Sequence, residues 1–162
     1  MSESMRVLLI DDDPVFAATL ARALGRRSID TALAHDADAA LEQAVRWQPS
    51  HVLLDLNLGG DVSGLDLIAP LCERVADVRI TVLTGYASIA TTVTAMQRGA
   101  VGYLAKPVDE FGLDLRKFSA GGVIIPQRVD SSTFNFNLIV IKFERERIFG
   151  KRPQNTLDTA KR

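Results

Sequence analysis

The chain has 162 residues, of which 47% are hydrophobic and 24% are charged, and its formal net charge is −1. This profile is typical of a globular protein and excludes a collagen-like or wholly disordered chain. The single cysteine, Cys72, excludes an internal disulfide framework and a cysteine-based zinc site. Because every apolar run is far shorter than the ~18 residues of a membrane span, we expect a cytoplasmic protein without a membrane segment.

Acidic and basic side chains are distributed unevenly along the chain. Residues 1–118 carry 11 Lys and Arg against 16 Asp and Glu, whereas residues 142–162 carry 7 basic against 3 acidic side chains. An acidic body is therefore followed by a basic tail. We divide the chain into a body, residues 1–118, and a C-terminal extension, residues 119–162.

The body begins with a buried strand and a capped helix. Residues 6–10 form a short apolar run, which is typical of a strand covered on both faces. Asp13 at the N-cap and Pro14 at the first helical position predict a helix start. Large apolar residues then recur every fourth position, which predicts one buried helical face.

This pair of elements is predicted four more times. Further apolar runs predict strands over 29–34, 51–54, 79–83 and 101–104. A helix follows each strand: the second is capped by Asp36, the fourth covers 88–98 and is closed by Gly99, and the fifth covers 108–118.

The third helix contains a proline. Pro70 would disrupt a helix interior, so this helix is predicted to begin near Leu67, capped by Asp66, or else to kink.

Five β-α repeats with short loops predict an α/β fold with a parallel sheet and helices on both faces. The expected form is a flavodoxin-like, doubly wound sheet of five strands in the order 2-1-3-4-5. A β-rich extension follows this sheet, since residues 123–125 and 133–143 are predicted strands and the last ten residues form a basic disordered end.

Residues capable of chemistry follow four of the five strands. Asp11 and Asp12 follow the first strand, Asp55 the third, Thr84 the fourth and Lys106 the fifth. Ligands of open α/β sheets bind outside the carboxyl ends of the strands, at the switch point of the strand order. The order 2-1-3-4-5 makes strands one and three neighbours, so the three carboxylates are expected to lie together.

Such a carboxylate cluster predicts a divalent cation. Like charges at close range raise one another's pKa, and a hard ion such as Mg²⁺ relieves the repulsion through oxygen ligands. Thr84 and Lys106 add a hydroxyl and a positive charge. Together these groups meet the needs of phosphoryl transfer, in which a carboxylate can itself be the nucleophile.

Four motifs carry a family resemblance: IDDDP at 10–14, LLDL at 53–56, VLTGY at 82–86 and YLAKP at 103–107. Over residues 5–118 the chain resembles the receiver domain of bacterial two-component response regulators. Its middle section looks most like receivers of transcriptional regulators of the photosynthesis and redox-response type.

The resemblance implies a role for each site residue. Asp55 would accept the phosphoryl group, and Asp12, Asp55 and the backbone carbonyl of Asn57 would bind Mg²⁺, with Asp11 nearby or acting through water. The phosphate oxygens would contact Thr84 and Lys106. Thr84 and Tyr103 would form the switch pair, with the tyrosine ring turning inward when Thr84 moves to the phosphate.

The resemblance also implies the partners. A sensor histidine kinase would donate the phosphoryl group, and the receiver would signal rather than turn over a substrate as an enzyme. The fourth helix, fifth strand and fifth helix would form the output face and, like the C-terminal extension, a surface for homodimerisation. The output is expected to be transcription, although the chain shows no helix-turn-helix pattern, so DNA binding would need an output region not recognised here.

Two features depart from the family pattern. Gly59 stands where the family usually has a proline, four residues after the phosphoacceptor, and the following loop to Gly64 is one residue longer than usual. The extension resembles no output domain. It is interpreted as a hairpin covering the receiver or a partner, with dimerisation, a frame-altered end and a basic nucleic-acid contact as alternatives.

One enzyme class remains as an alternative function. Asp11 and Asp13 after an apolar strand also fit a haloacid-dehalogenase-like phosphohydrolase, as nucleophile and general acid. That family needs a further acidic motif after the lysine, which the chain lacks at the right spacing, and it leaves Asp55 without a role.

Overall fold

The computed structural model describes residues 5–85, 88–106, 127–128 and 134–135. Strands and helices alternate along the body, as predicted. The elements are β1 (Arg6–Ile10), α1 (Pro14–Gly25), β2 (Asp30–Ala34), α2 (Ala37–Trp47), β3 (His51–Leu54), α3 (Gly64–Arg74), β4 (Arg79–Thr84), α4 (Ile89–Arg98) and β5 (Gly102–Ala105).

The five strands form one parallel sheet in the order β2-β1-β3-β4-β5. This confirms the predicted flavodoxin-like, doubly wound topology. Alternate strand residues point to opposite faces, so Leu8 and Val52 pack on the α2, α3 and α4 side, whereas Leu9 and Leu53 pack on the α1 side. Because both faces are covered, the strands carry continuous apolar runs rather than an alternating pattern.

Local capping chemistry sets most helix boundaries. The Asp13 carboxylate accepts hydrogen bonds from the backbone N–H groups of Val15 and Phe16, with Pro14 in the first turn. Asp36 caps α2 through Ala39, and Gly99 closes α4, so these three predicted caps are confirmed.

The predicted start of the third helix is wrong. Helix α3 begins at Gly64, is capped by Ser63 and continues through Pro70. A proline removes one intrahelical hydrogen bond, here the one to the carbonyl of Asp66, but the helix buries Leu67, Ile68 and Leu71 on one face. Burial of that face outweighs the lost bond, which the prediction from Pro70 alone did not weigh.

The C-terminal part of the chain is described only in short pieces. Gln127–Arg128 (β6) and Phe134–Asn135 (β7) pair antiparallel, and β7 lies within the predicted strand over 133–143. The predicted strand over 123–125 and the predicted fifth helix over 108–118 lie outside the described residues. Among the helices described, none is long and apolar enough to cross a membrane.

Candidate functional site

The sheet register brings the carboxylates of strands β1 and β3 together. Ile10 pairs with Leu54 at the end of both strands. The β1–β3 ladder continues one step further, because the Asp55 N–H donates to the Ile10 carbonyl at 2.9 Å. The β1–β2 ladder does the same, because the Asp11 N–H donates to the Ala34 carbonyl at 3.1 Å. Asp11 and Asp55 therefore follow neighbouring strands at the same carboxyl edge, as predicted.

Three carboxylates form an acidic cluster at this edge. Asp11, Asp12 and Asp55 each offer an oxygen, and these oxygens lie within 4.8 Å of one another. Asp11 and Asp55 are buried, at 0% and 6% exposure, whereas Asp12 is more open to solvent. Burial raises the pKa of Asp11 even though Lys106 opposes that shift. An all-oxygen set with a partly desolvated charge fits a hard divalent cation.

The Lys106 ammonium bridges two of these carboxylates. Its Nζ donates to Asp11 Oδ2 at 2.6 Å and to Asp55 Oδ2 at 2.8 Å. Burial disfavours the charged ammonium, but hydrogen bonds and charge from Asp11 and Asp55 outweigh it and raise the pKa of Lys106. Lys106 reaches the site because its backbone N–H continues the β4–β5 ladder to the Thr84 carbonyl at 2.8 Å.

An aromatic ring lies beside the same ammonium. The Lys106 Nζ is 4.2 Å from the centroid of the Phe16 ring, which is a cation–π distance. From the sequence, Phe16 was predicted only as part of the apolar repeat of the first helix. Its second contact depends on a residue 90 positions away, so no local pattern could have revealed it.

The loop after Asp55 approaches the acidic cluster closely. The Asn57 N–H donates to Asp55 Oδ1 at 3.3 Å, so Asn57 lies beside the site as predicted. Gly59 has φ +65°, and a Cβ there would lie 2.9 Å from Asp12 Oδ2. A proline, which the family resemblance led us to expect at this position, could not adopt this φ. An added Cβ at Gly64 would collide with the Asp55 backbone carbonyl.

The predicted switch pair is buried next to the site. Thr84 ends β4 at 1% exposure, and Tyr103 lies in β5 at 1% exposure. The Tyr103 hydroxyl is 2.9 Å from the Thr91 hydroxyl in α4. Thr91 in turn forms a capping box with Ser88, the N-cap of α4. The buried phenol is thus tied to the start of α4, a link that sequence analysis missed because Thr91 showed no signal beyond its place in a helix.

The phosphohydrolase alternative is not favoured by this arrangement. Asp13, its proposed general acid, is exposed, and its carboxylate caps α1. Asp55, which that alternative leaves idle, instead shares the Lys106 ammonium with Asp11.

The family model for the response regulator receiver domain matches residues 7–115. The chain belongs to this family. The matched span includes every residue of the site described above.

Curated relatives support the predicted subgroup. The receiver is 44% identical over 103 residues to the acid tolerance regulatory protein ActR of Sinorhizobium medicae, which is 64% of this chain and 53% of ActR. It is 42% identical over 103 residues to the photosynthetic apparatus regulatory protein RegA of Rhodobacter capsulatus, which is 64% of this chain and 55% of RegA. RegA of Rhodovulum sulfidophilum is 32% identical over 163 residues, spanning 100% of this chain and 86% of that protein.

A solved structure gives the corresponding fold. A response regulator from Burkholderia pseudomallei, crystallised with a phosphorylated aspartic acid, calcium ion and citrate, is 48% identical with a TM-score of 0.64, covering 73% of this chain and 66% of that one. For most of the first curated relatives, including ActR, this chain spans only about half their length.

Proposed function

We propose that Asp55 of this receiver accepts a phosphoryl group from a sensor histidine kinase in the cytoplasm. The phosphorylated receiver then controls a downstream output, which we propose is transcription. A carboxylate oxygen of Asp55 forms the new P–O bond while the bond from phosphorus to the donor imidazole breaks. The departing imidazole keeps the electron pair. The observation that carries the proposal is the Lys106 ammonium held between Asp11 and Asp55.

Lys106 and Thr84 are the proposed ligands of the phosphoryl oxygens. Phosphoryl transfer needs positioning and charge neutralisation more than covalent help from the protein. An ammonium already 2.8 Å from Asp55 Oδ2 can move onto a phosphoryl oxygen with little rearrangement. Thr84 ends the neighbouring strand, and its hydroxyl is the proposed second donor.

Mg²⁺ is the proposed cofactor, held by Asp12, Asp55 and the backbone carbonyl of Asn57, with Asp11 contributing nearby or through water. When bound, the ion would neutralise the charge of the carboxylates and of the incoming phosphoryl group. The donor set fits because it contains only oxygens and carries more negative charge than Lys106 alone offsets. Asp11 and Asp12 act in this proposal by binding, while Asp55 alone reacts.

The proposed switch runs from Thr84 to Tyr103 and then to the output face of α4, β5 and the predicted fifth helix. Movement of Thr84 toward a phosphorylated Asp55 would favour the buried position of the Tyr103 ring. Phosphorylation shifts this equilibrium only by its differential affinity for the two positions. The proposal rests on the burial of both side chains and on the bond from Tyr103 to Thr91.

The proposed domain division keeps residues 1–118 as the receiver and 119–162 as an atypical extension. The family model ends at residue 115, which supports that boundary. Homodimerisation through the output face or the extension, and DNA binding through an output region, are further proposals. The names of the relatives, which are regulatory proteins, support the transcriptional output.

The experiment is labelling with a small phosphodonor. Acetyl phosphate and Mg²⁺ should add one phosphoryl group to the full chain, seen as a single mass increment or one acid-stable, base-labile label. Asp55→Asn should abolish the label, and chelation of Mg²⁺ should suppress it in the wild-type protein.

Asp13→Asn serves as the matched control because Asn also caps helices well. It should keep the label, whereas a phosphohydrolase using Asp13 would lose activity. Labelling of Asp55→Asn at the wild-type level would refute the proposed phosphoacceptor.

A further inference from the structure

The Lys106 ammonium has three N–H donors, and the described carboxylates account for two of them. One points to Asp11 Oδ2 and one to Asp55 Oδ2, at 2.6 and 2.8 Å. The remaining side of the nitrogen faces the Phe16 ring, whose centroid is 4.2 Å away. The Lys106 side chain is 19% exposed, so most of its surface is shielded from solvent.

Phe16 is itself held firmly. Its backbone N–H donates to the Asp13 carboxylate at 3.0 Å, in the first turn of α1. Its side chain is half-buried and packs against the apolar cluster on the α1 side of the sheet, which includes Leu20 and Leu104. The ring therefore belongs to helix α1 rather than to a loop. A residue on such a rigid element can position another group effectively.

A lysine head group needs such positioning. Its four-carbon stem has many rotamers, and fixing them costs conformational entropy. If the ammonium moves away from Asp55, it must return when the phosphoryl group arrives. The free-energy cost of ordering the side chain then adds to the activation barrier. An aromatic face attracts an ammonium without competing for its hydrogen bonds as a carboxylate or water would.

We propose that Phe16 is a positioning residue for phosphoryl transfer: its ring holds the Lys106 ammonium beside Asp55 before the phosphoryl group arrives. This inference rests on the proposed function of Asp55 and Lys106. The proposal gives helix α1 a part in the reaction, in addition to the part proposed for Asp11 and Asp12, which precede this helix. The ring acts only through Lys106 and touches no reacting atom in this proposal.

The test compares Phe16→Leu, which keeps apolar bulk but lacks the aromatic face, with Phe16→Tyr, which keeps that face. Acetyl phosphate is the donor, so contacts of α1 with a kinase cannot contribute. We expect Phe16→Leu to lower the rate of Asp55 labelling about threefold to tenfold, the range of a partly desolvated cation–π contact. Phe16→Tyr should restore a rate close to that of the wild-type protein.

Leu20→Val is the matched structural control, since Leu20 lies one turn further along α1 in the same apolar cluster. It should leave the labelling rate unchanged. A second readout is spectroscopic: the aromatic ring should shift the Lys106 ε-methylene protons upfield in the wild-type protein and in Leu20→Val, and the shift should vanish in Phe16→Leu.

The outcomes separate this inference from the proposed function. An unlabelled wild-type protein would overturn both. A labelled wild-type protein with equal rates for Phe16→Leu and Phe16→Tyr would overturn only the role of Phe16. Unshifted ε-methylene protons in the wild-type protein would overturn that role without any variant.

Discussion

His51 is a buried histidine at the first residue of β3, far along the sheet from the acidic edge. Its Nδ1 is 3.0 Å from the Ser50 hydroxyl, and its Nε2 has no hydrogen-bond partner among the described residues. Burial, and to a smaller extent the charge of Arg79, lowers the pKa of His51 below 6.5. Folding therefore favours the neutral form of the His51 ring.

The lowered pKa predicts a loss of stability in mild acid. Below about pH 6.5 the unfolded chain binds a proton at His51 that the folded chain resists. The free energy of unfolding should fall as the pH is lowered through this window, by at most ~1.4 kcal/mol per pH unit from this group. Above this pH window His51 is neutral in both the folded and the unfolded chain, so it no longer changes the free energy of unfolding with pH. Urea unfolding at pH 7.5 and 5.5 measures the difference.

His51→Leu should remove this part of the pH dependence, and at pH 7.5 it should be at least as stable as the wild-type protein, because it also removes an unpartnered Nε2. His35→Gln is the control, since His35 is exposed and hydrogen-bonds only the Asp11 carbonyl among the described contacts. It should keep the part of the pH dependence that comes from His51. Parallel pH profiles for wild type and His51→Leu would contradict the prediction.

At the scale of the element, helix α4 begins with a network of hydroxyl groups. Thr91 Oγ1 donates to the Ser88 carbonyl and accepts from the Ser88 N–H. The Tyr103 hydroxyl is 2.9 Å from the same oxygen. The Ser88 hydroxyl is also 2.9 Å from this oxygen. A hydroxyl has one proton and two lone pairs, so the Tyr103 and Ser88 hydroxyls compete for the one lone pair of Thr91 that the Ser88 N–H leaves. The start of α4 thus depends on where the Tyr103 ring lies.

Thr91→Val should weaken this start of the helix. The variant loses half of the capping box and leaves the buried Tyr103 hydroxyl without its partner, so we expect a loss of about 1–3 kcal/mol in the free energy of unfolding. Amides of the first turn of α4 should exchange faster with solvent. Beryllofluoride with Mg²⁺, which mimics the phosphoryl group, should shift the amide signals of residues 84–106 less than in the wild-type protein.

Thr94→Val is the matched control in the same helix. The Thr94 hydroxyl donates to the Ala90 carbonyl, and among the described hydrogen bonds it makes none with Tyr103. This variant should change stability by no more than about 0.5 kcal/mol and keep the wild-type response to beryllofluoride. Signals of residues 29–46, which cover β2 and nearly all of α2, serve as an internal reference. Equal shifts in both regions would contradict signalling through the α4 face.

At the scale of the whole molecule, the described site lies entirely within residues 11–106. The strands that position it span Arg6–Ile10 to Gly102–Ala105, and the family model ends at residue 115. Neither the sheet nor the acidic edge draws a residue from the C-terminal extension among the contacts described. Because the family model and the described site both end before residue 119, we predict that the extension is dispensable for the labelling reaction.

A chain ending at residue 118 should fold and accept the phosphoryl group on Asp55 at a rate within about twofold of the full chain, because preorganisation of the site is a property of the sheet edge. Circular dichroism checks folding and acetyl phosphate labelling checks the rate. A folded but unlabelled truncated chain would show that residues 119–162 complete the site.

Much of this architecture was fixed locally. The strands and the starts of α1 and α2 were predicted correctly, because their signals depend on neighbours within four residues. These signals are the short apolar runs, Asp13 followed by Pro14, and Asp36 before an amphipathic stretch. The meeting of the strand-end residues at one edge was also predictable, because parallel strands with a known order bring their carboxyl ends together. The start of α3 was not, because a local rule about Pro70 competed with the burial of a whole helical face.

The sequence alone determined which polar residues follow the strands and are candidates for the site, but the tertiary structure decided how they contact one another. Lys106 is 95 positions from Asp11 and 51 from Asp55, and the lengths of its two hydrogen bonds depend on the register of four strands, β1, β3, β4 and β5. The ring of Phe16 beside that ammonium, the bond of Tyr103 to Thr91 and the left-handed turn at Gly59 against Asp12 have the same origin. Each arises where separately formed elements pack, and a shift of one residue in register would remove it.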